Sequence, residues 1–336
     1  ARKPFVHPGV AIVAGRTLPD RHAIALVASD GNGHNTAART PVPSMSRLHA
    51  DIALLFAAAI WGVAFIFQKS AMADIGPLAF IACRGAVAAL ALAPLALREG
   101  SRPGAKPASS GFWSIAIAGG TVFFIAAWLQ QAGIRTATVT NTGFLTALYV
   151  VITPFIAWTW NRIRPSPAVW PAVILSAVGT WLLGGGALAA FSEGDKLVAL
   201  SAFFWALHVV VTGRASPFRR PIAYTAVQFA VVSAFAVVLS FGLESTSLDG
   251  LIAAAPEIAY VDLLSSALTF TLRTVALQYT PPAEAAVIVS LETVFAAAAA
   301  YWLLGERLDL VGWSGAALIM CAVLVLQVGT ARLARK

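Results

Sequence analysis

Charged side chains are what this sequence has least of. They make up 11% of its 336 residues, less than half of the roughly 25% in an ordinary soluble domain. With 59% of residues hydrophobic, too few polar groups remain to cover a surface facing water, so the bilayer is the natural solvent. Cysteine is also scarce: Cys83 and Cys321 both lie inside apolar runs, which excludes a disulfide framework. HExxH, GxSxG and a paired intramembrane aspartate motif are missing, which argues against an intramembrane hydrolase or transferase. There is no Walker-type phosphate loop, so nothing supports ATP-driven pumping by this chain. The net charge of +8 is not gathered into a stripe or groove, so no nucleic-acid partner is expected, and no metal or other cofactor is expected either.

Long apolar runs fill the space. Segments of about 18–22 residues cover roughly 51–68, 77–97, 111–131, 137–158, 167–187, 196–214, 222–243, 256–278, 283–303 and 310–329. They are separated by short breaks rich in Pro, Gly and charge, such as "REGSRPGAKP", "NRIRPSP" and "YTPPAE". The predicted fold class is therefore all-α: a polytopic membrane protein with ten transmembrane helices. Residues 1–46 carry only short apolar patches and a Gly, Asn, Ser and Pro-rich run, and are expected to form a flexible cytoplasmic tail or an over-extended start before Met45. Residues 331–336 are expected to form a second cytoplasmic tail.

Lys and Arg set the expected threading. Arg98, Arg102, Lys106, Arg162, Arg164, Arg214, Arg219, Arg220, Arg332, Arg335 and Lys336 fall on one side, against Lys69, Arg135, Lys196 and Arg307 on the other. Eleven against four predicts that both termini are cytoplasmic, in a bacterial inner membrane.

The chain also repeats itself. Trp61 and Trp205 are separated by 205 − 61 = 144 residues, and the same offset carries "PLAFIACR" (Pro77 to Arg84) onto "PIAYTAVQ" (Pro221 to Gln228). After a one-residue slip, an offset of 143 carries Tyr149 onto Glu292, Arg164 onto Arg307 and Trp170 onto Trp313. Two five-helix repeats, 47–190 and 191–330, are expected. Because five is odd, they would be inverted relative to one another, with a binding site where the two halves meet at mid-membrane.

The stretches "WGVAFIFQK", "PLAFIACRGAVA" and "SLETVFAAAAAYWLLGERLDLVGWSGAALIM" resemble the drug/metabolite transporter superfamily, in particular its ten-helix EamA-type members. The resemblance covers about 47–330. It implies transport of small metabolites, often export of amino acids across the bacterial inner membrane. The family's second repeat often has Pro where this chain has Thr293.

The candidate substrate-binding residues are Glu292, Tyr149, Trp61, Trp205, Lys69, Arg84, Gln228 and Trp128. Glu292 lies within a run of alanines and leucines, where an ionised carboxylate costs at least about 2.5–3.5 kcal/mol. It can bind a substrate ammonium or carry a coupled proton, or it can be a protonated or Arg-paired structural glutamate. Arg84 can receive a substrate carboxylate, or lock helices by pairing with Asp262 or Glu292. Lys69 near a span end can be an interfacial anchor, although the family pattern has Lys there. The aromatic residues and Gln228 can line an apolar cavity or simply pack. Arg273 and Glu284 are placed at the edges of a short loop, with helix-dipole stabilisation explaining Glu284. Asp262 and His208 are weaker candidates.

These residues point to a secondary transporter for an amino acid with a hydrophobic or aromatic side chain. Protons are possible partners beside the lipid bilayer, and the chain is expected to be a monomer. An intramembrane enzyme and a passive channel or facilitator are the alternatives. Saturable flux of a chemically unchanged solute separates them.

Overall fold

Prolines and small hydroxyl residues mark where the helices begin. Pro77, Pro221 and Pro282 each open a helix, where the missing N–H is harmless and φ is already helical. Ser46, Ser109, Thr138 and Ser247 accept hydrogen bonds from backbone N–H groups three residues on. Ser192 and Asp195 form a reciprocal capping box. A computed structural model describes residues 45–102, 107–162, 164–183, 192–305 and 307–334. The expected tail over 1–44 lies outside the described residues.

In chain order the helices are α1 (Arg47–Ala71), α2 (Pro77–Gly100), α3 (Ser110–Ile134), α4 (Val139–Thr146), α5 (Tyr149–Asn161), α6 (Val169–Leu183) and α7 (Glu193–Arg214), then α8 (Pro221–Leu243), α9 (Leu248–Ala253) and α10 (Ala255–Ala259). A π-helical segment, Tyr260–Leu268, leads into α11 (Thr269–Ala276). The chain closes with α12 (Pro282–Val289), α13 (Glu292–Leu304) and α14 (Leu310–Ala334). No strand occurs among the described residues.

Eight helices among the described residues are long and apolar enough to cross a membrane, counting α4–α5 and α12–α13 as one each. The other two expected spans differ from that ideal. The fifth is α6, only 15 residues within the described part of the chain. The eighth is broken into α10, the π segment and α11. Large apolar side chains on the outside are left uncovered, with Phe241 and Leu310 both 87% exposed, as a surface bathed in lipid requires. α14 continues to Ala334, into the segment expected as the C-terminal tail.

The packing of the helices has a pattern. α2 lies along α8, α3 along α7 and α6 along α14; α1 packs on α13 and on the π segment and α11, while α7 packs on α4 and α5. Exchanging each element for its counterpart about 144 residues away maps the pairings onto one another, α7 on α4 answering to α1 on α12. α2 and α8 run antiparallel, because each ends where the other begins. Glu244 at the end of α8 accepts hydrogen bonds from Leu78 and Ala79 N–H at the start of α2, both 2.9 Å. Glu99 near the end of α2 accepts from Ile222 and Ala223 N–H at the start of α8, at 3.3 and 2.8 Å. Two carboxylates thus satisfy free N–H groups of the partner helix and oppose its dipole.

Candidate functional site

Two helices break in mid-course, and the breaks correspond. Adding 143 to the bounds of α4 (139, 146) gives those of α12 (282, 289), and adding 143 to those of α5 (149, 161) gives those of α13 (292, 304). Tyr149 and Glu292 are therefore the first residues after the two breaks. A helix start presents free N–H groups and the positive end of its dipole, which suits the Glu292 carboxylate. Hydroxyls tie the breaks down: Gln130 Nε2 donates to Thr146 Oγ1 at 2.7 Å, and Ser290 and Ser176 hydroxyls meet at 2.9 Å.

Between the breaks lies a cavity of about 60 Å³. It has room for several waters. Trp61, Trp205 and Phe270 form aromatic walls, while Arg84, Arg273, Gln130, Tyr149 and Glu292 bring polar groups to it. Trp61 donates from its indole nitrogen to the Ser265 carbonyl at 2.8 Å, which fixes that wall. The Trp205 indole nitrogen has no hydrogen-bond partner among the described residues.

The charged groups are held apart. Arg273 Nη2 lies 2.8 Å from His208 Nδ1, and its guanidinium sits 4.5 Å from the Phe270 centroid and 5.3 Å from that of Trp61. Guanidinium only donates, so His208 Nδ1 accepts and Nε2 is left to donate to Gln228 Oε1 at 2.7 Å. Gln228 thus orients Arg273 through His208. Arg84 donates from Nε to Ser266 Oγ at 2.6 Å and faces the Phe123 and Phe270 rings at 5.8 and 5.7 Å. Neither arginine forms an ion pair with Glu292 among the described residues. The Tyr149 hydroxyl reaches toward Glu292 without completing a hydrogen bond.

Of the residues singled out from sequence, Glu292, Tyr149, Trp61, Trp205 and Arg84 line this cavity, and three others lie elsewhere. Lys69 Nζ is turned away and donates to the carbonyls of Ile134, Arg135 and Ala137 at 2.6, 2.9 and 3.0 Å, closing the end of α3. Trp128 is 36% exposed and stacks on Phe124 on the outer surface, because its face of α3 points away from α7. Gln228 stands behind His208 rather than on the cavity wall. Arg273 is a correction in the other direction: expected at a loop edge, it reaches inward to the cavity. Glu284, explained from sequence by the dipole alone, is buried and ion-paired with Arg47. The repeat offset contained the signal for Arg273, since 130 + 143 = 273 pairs it with Gln130, already deep in an apolar run.

Residues 48–185 and 192–328 each match the profile of the EamA-like transporter family. The two matches start 192 − 48 = 144 residues apart, the separation of Trp61 and Trp205. A protein of Archaeoglobus fulgidus described as an uncharacterized transporter is 30% identical over 287 residues, spanning 84% of this chain and 86% of that protein. A protein of known crystal structure shares the fold with a TM-score of 0.71 at 15% identity, covering 86% of this chain and 99% of the other.

Proposed function

The chain belongs to the EamA-like transporter family, and we propose that this multi-pass membrane protein is a secondary transporter exporting amino acids with hydrophobic or aromatic side chains. In this reading the chain is two inverted five-helix repeats that rock about the cavity, with both termini cytoplasmic in a bacterial inner membrane. Glu292 receives the solute ammonium. Arg84 and Arg273 receive its carboxylate, and Trp61, Trp205 and Phe270 hold the side chain.

One observation carries the reading: an unpaired buried carboxylate and two buried arginines converge on one aromatic-walled cavity at a pair of helix breaks. A purely structural set of charges in a low-dielectric interior would be expected to pair. The two arginines are held by partners of their own, and Glu292 forms no ion pair among the described residues, which leaves them to a solute carrying both signs.

The test is counterflow in proteoliposomes against a panel of amino acids, amines and sugars. Saturable exchange of phenylalanine or leucine, recovered chemically unchanged, is the expected result. Exchange of sugars alone would overturn the substrate class. Conversion of the solute would replace transport with enzymatic chemistry, and non-saturable flux with a channel.

A further inference from the structure

The cavity does not account for Asp262. Its side chain is fully buried, and neither carboxylate oxygen has a hydrogen-bond partner among the described residues. It is the third residue of the π-helical segment, and such segments often mark functional positions in helices. The nearby Ser265 hydroxyl is also buried without a partner. The segment itself is firmly held, by Trp61 on the Ser265 carbonyl, by Arg84 on Ser266 and by the Tyr260 hydroxyl on the Ile60 carbonyl. Asp262 is thus placed by its surroundings and yet left without a donor.

The groups that act on Asp262 come from α2: the Arg84 charge and the Cys83 thiol. From α1 the segment meets Trp61 and the Ile60 carbonyl, neither titratable. On α11, Arg273 acts on Arg84 and is bonded to His208; on α10, Glu257 is bonded to Ser70. Arg84, bonded to Ser266 four residues beyond Asp262 in the same π segment, also lines the cavity. With Nε committed to Ser266, the two terminal nitrogens of its fork remain for an anion.

We propose that Arg84 is shared between Asp262 and the carboxylate of a bound solute, and that Asp262 takes up a proton when the solute claims the guanidinium. The physical reason is the cost of a lone ionised carboxylate in an apolar interior: once its cation turns away, it is stable only as the neutral acid. The unpartnered Asp262 oxygens fit the state in which Arg84 faces the cavity. Loss of the proton draws Arg84 back and removes the anion site. The solute carboxylate and a proton thus bind together, and neither atom count nor charge is left unbalanced. The inference rests on the transport reading for its solute class.

Two measurements on the full chain in liposomes test it. The first needs no solute: the infrared carbonyl band of a protonated carboxyl, assigned by its loss in D262N, is titrated with pH. In R84Q the midpoint should move to higher pH, while R84K should stay near the parent. An unmoved midpoint in R84Q overturns the proposal whether or not any solute binds. The second uses hydrocinnamate, which has the carboxylate but no ammonium, beside phenethylamine, which has the reverse. Hydrocinnamate should bind about tenfold more weakly per pH unit above the Asp262 midpoint, the slope of one linked proton. D262N should bind it with no such slope. The same slope in D262N, or no hydrocinnamate binding at any pH, overturns the proposal, and D262N carries this arm even if R84Q does not fold. Failure of the transport reading shows differently: no amino acid exchanges in counterflow while hydrocinnamate binding remains proton-linked.

Discussion

The pair α4–α5 and the pair α12–α13 break at equivalent steps 143 residues apart, yet they present different chemistry to the cavity between them. The first half offers Tyr149 at its break and Gln130 beside it, both neutral. The second offers Glu292 and Arg273 at the equivalent positions. At the breaks the geometry has been kept while charge has been placed in the second half; the cavity's other cation, Arg84, comes from α2 in the first half. A symmetric pair of breaks is a mechanical requirement if both halves move alike, whereas the charges need only match the solute, which has no such symmetry. The difference predicts that substitutions at the second break disturb solute recognition, and that equivalent ones at the first break disturb it less.

The largest effect is expected at Glu292. Replacing it in E292Q keeps the shape and removes the charge, and should weaken counterflow of an amino acid about 10- to 100-fold. That is the worth of a charge-assisted hydrogen bond of about 1.5–3 kcal/mol. The pH dependence of transport should flatten as well, with thermal unfolding in detergent little changed. Transport equal to the parent at every pH would reduce Glu292 to a structural residue and erase the asymmetry.

The next effect tests packing behind the same break. A methyl group on Gly62 would lie 2.6 Å from the Glu292 carbonyl oxygen and 2.7 Å from the Ala296 backbone nitrogen. These are backbone atoms that cannot turn aside, so G62A must push α1 and α13 apart. Overpacking of this kind typically costs about 1–3 kcal/mol, and here it also shifts Glu292. The equivalent position in the other half, 62 + 144 = 206, is already alanine, Ala206. A lowered melting temperature together with reduced transport in G62A is expected. A variant unchanged in both would show that α1 and α13 separate freely.

The ends of the α2–α8 pair sharpen the comparison in another way, because there the two halves are chemically alike. E99Q and E244Q should each cost about 0.5–2 kcal/mol in stability, the range for losing a helix cap. Glu99 is buried while Glu244 is half-exposed, so E99Q should lower the melting temperature more. Equal shifts would mean that burial does not strengthen the carboxylate cap.

Much of this arrangement was legible in the sequence because apolar run length and a fixed offset are properties of the chain itself. The offsets of 143 and 144 pointed to Tyr149 with Glu292 and to Trp61 with Trp205, and all four line the cavity. What a linear reading lost is side-chain direction. Lys69 and Arg273 both sit near helix ends, and a long cation there can turn outward or inward. Lys69 found three free carbonyls at the end of α3, whereas Arg273 found His208 and the faces of Trp61 and Phe270. The π segment was hidden for a related reason, since its widened turns leave the apolar run uninterrupted. Asp262 accordingly read as one weak candidate among several.

The smallest effect is expected at Tyr149, and it bears most directly on why the halves differ. Its hydroxyl is buried without a hydrogen-bond partner among the described residues while reaching toward Glu292. An unmade hydrogen bond contributes little, so Y149F should leave stability within about 0.5–1.5 kcal/mol of the parent and slow counterflow by no more than about tenfold. If the hydroxyl closes onto Glu292 only when the cavity rearranges, Y149F should affect the maximal rate and leave the half-saturating concentration unchanged. A loss as deep as that of E292Q would instead make Tyr149 an equal partner in recognition. The charge asymmetry between the two breaks would then be a matter of which side holds the proton, not of which half reads the solute.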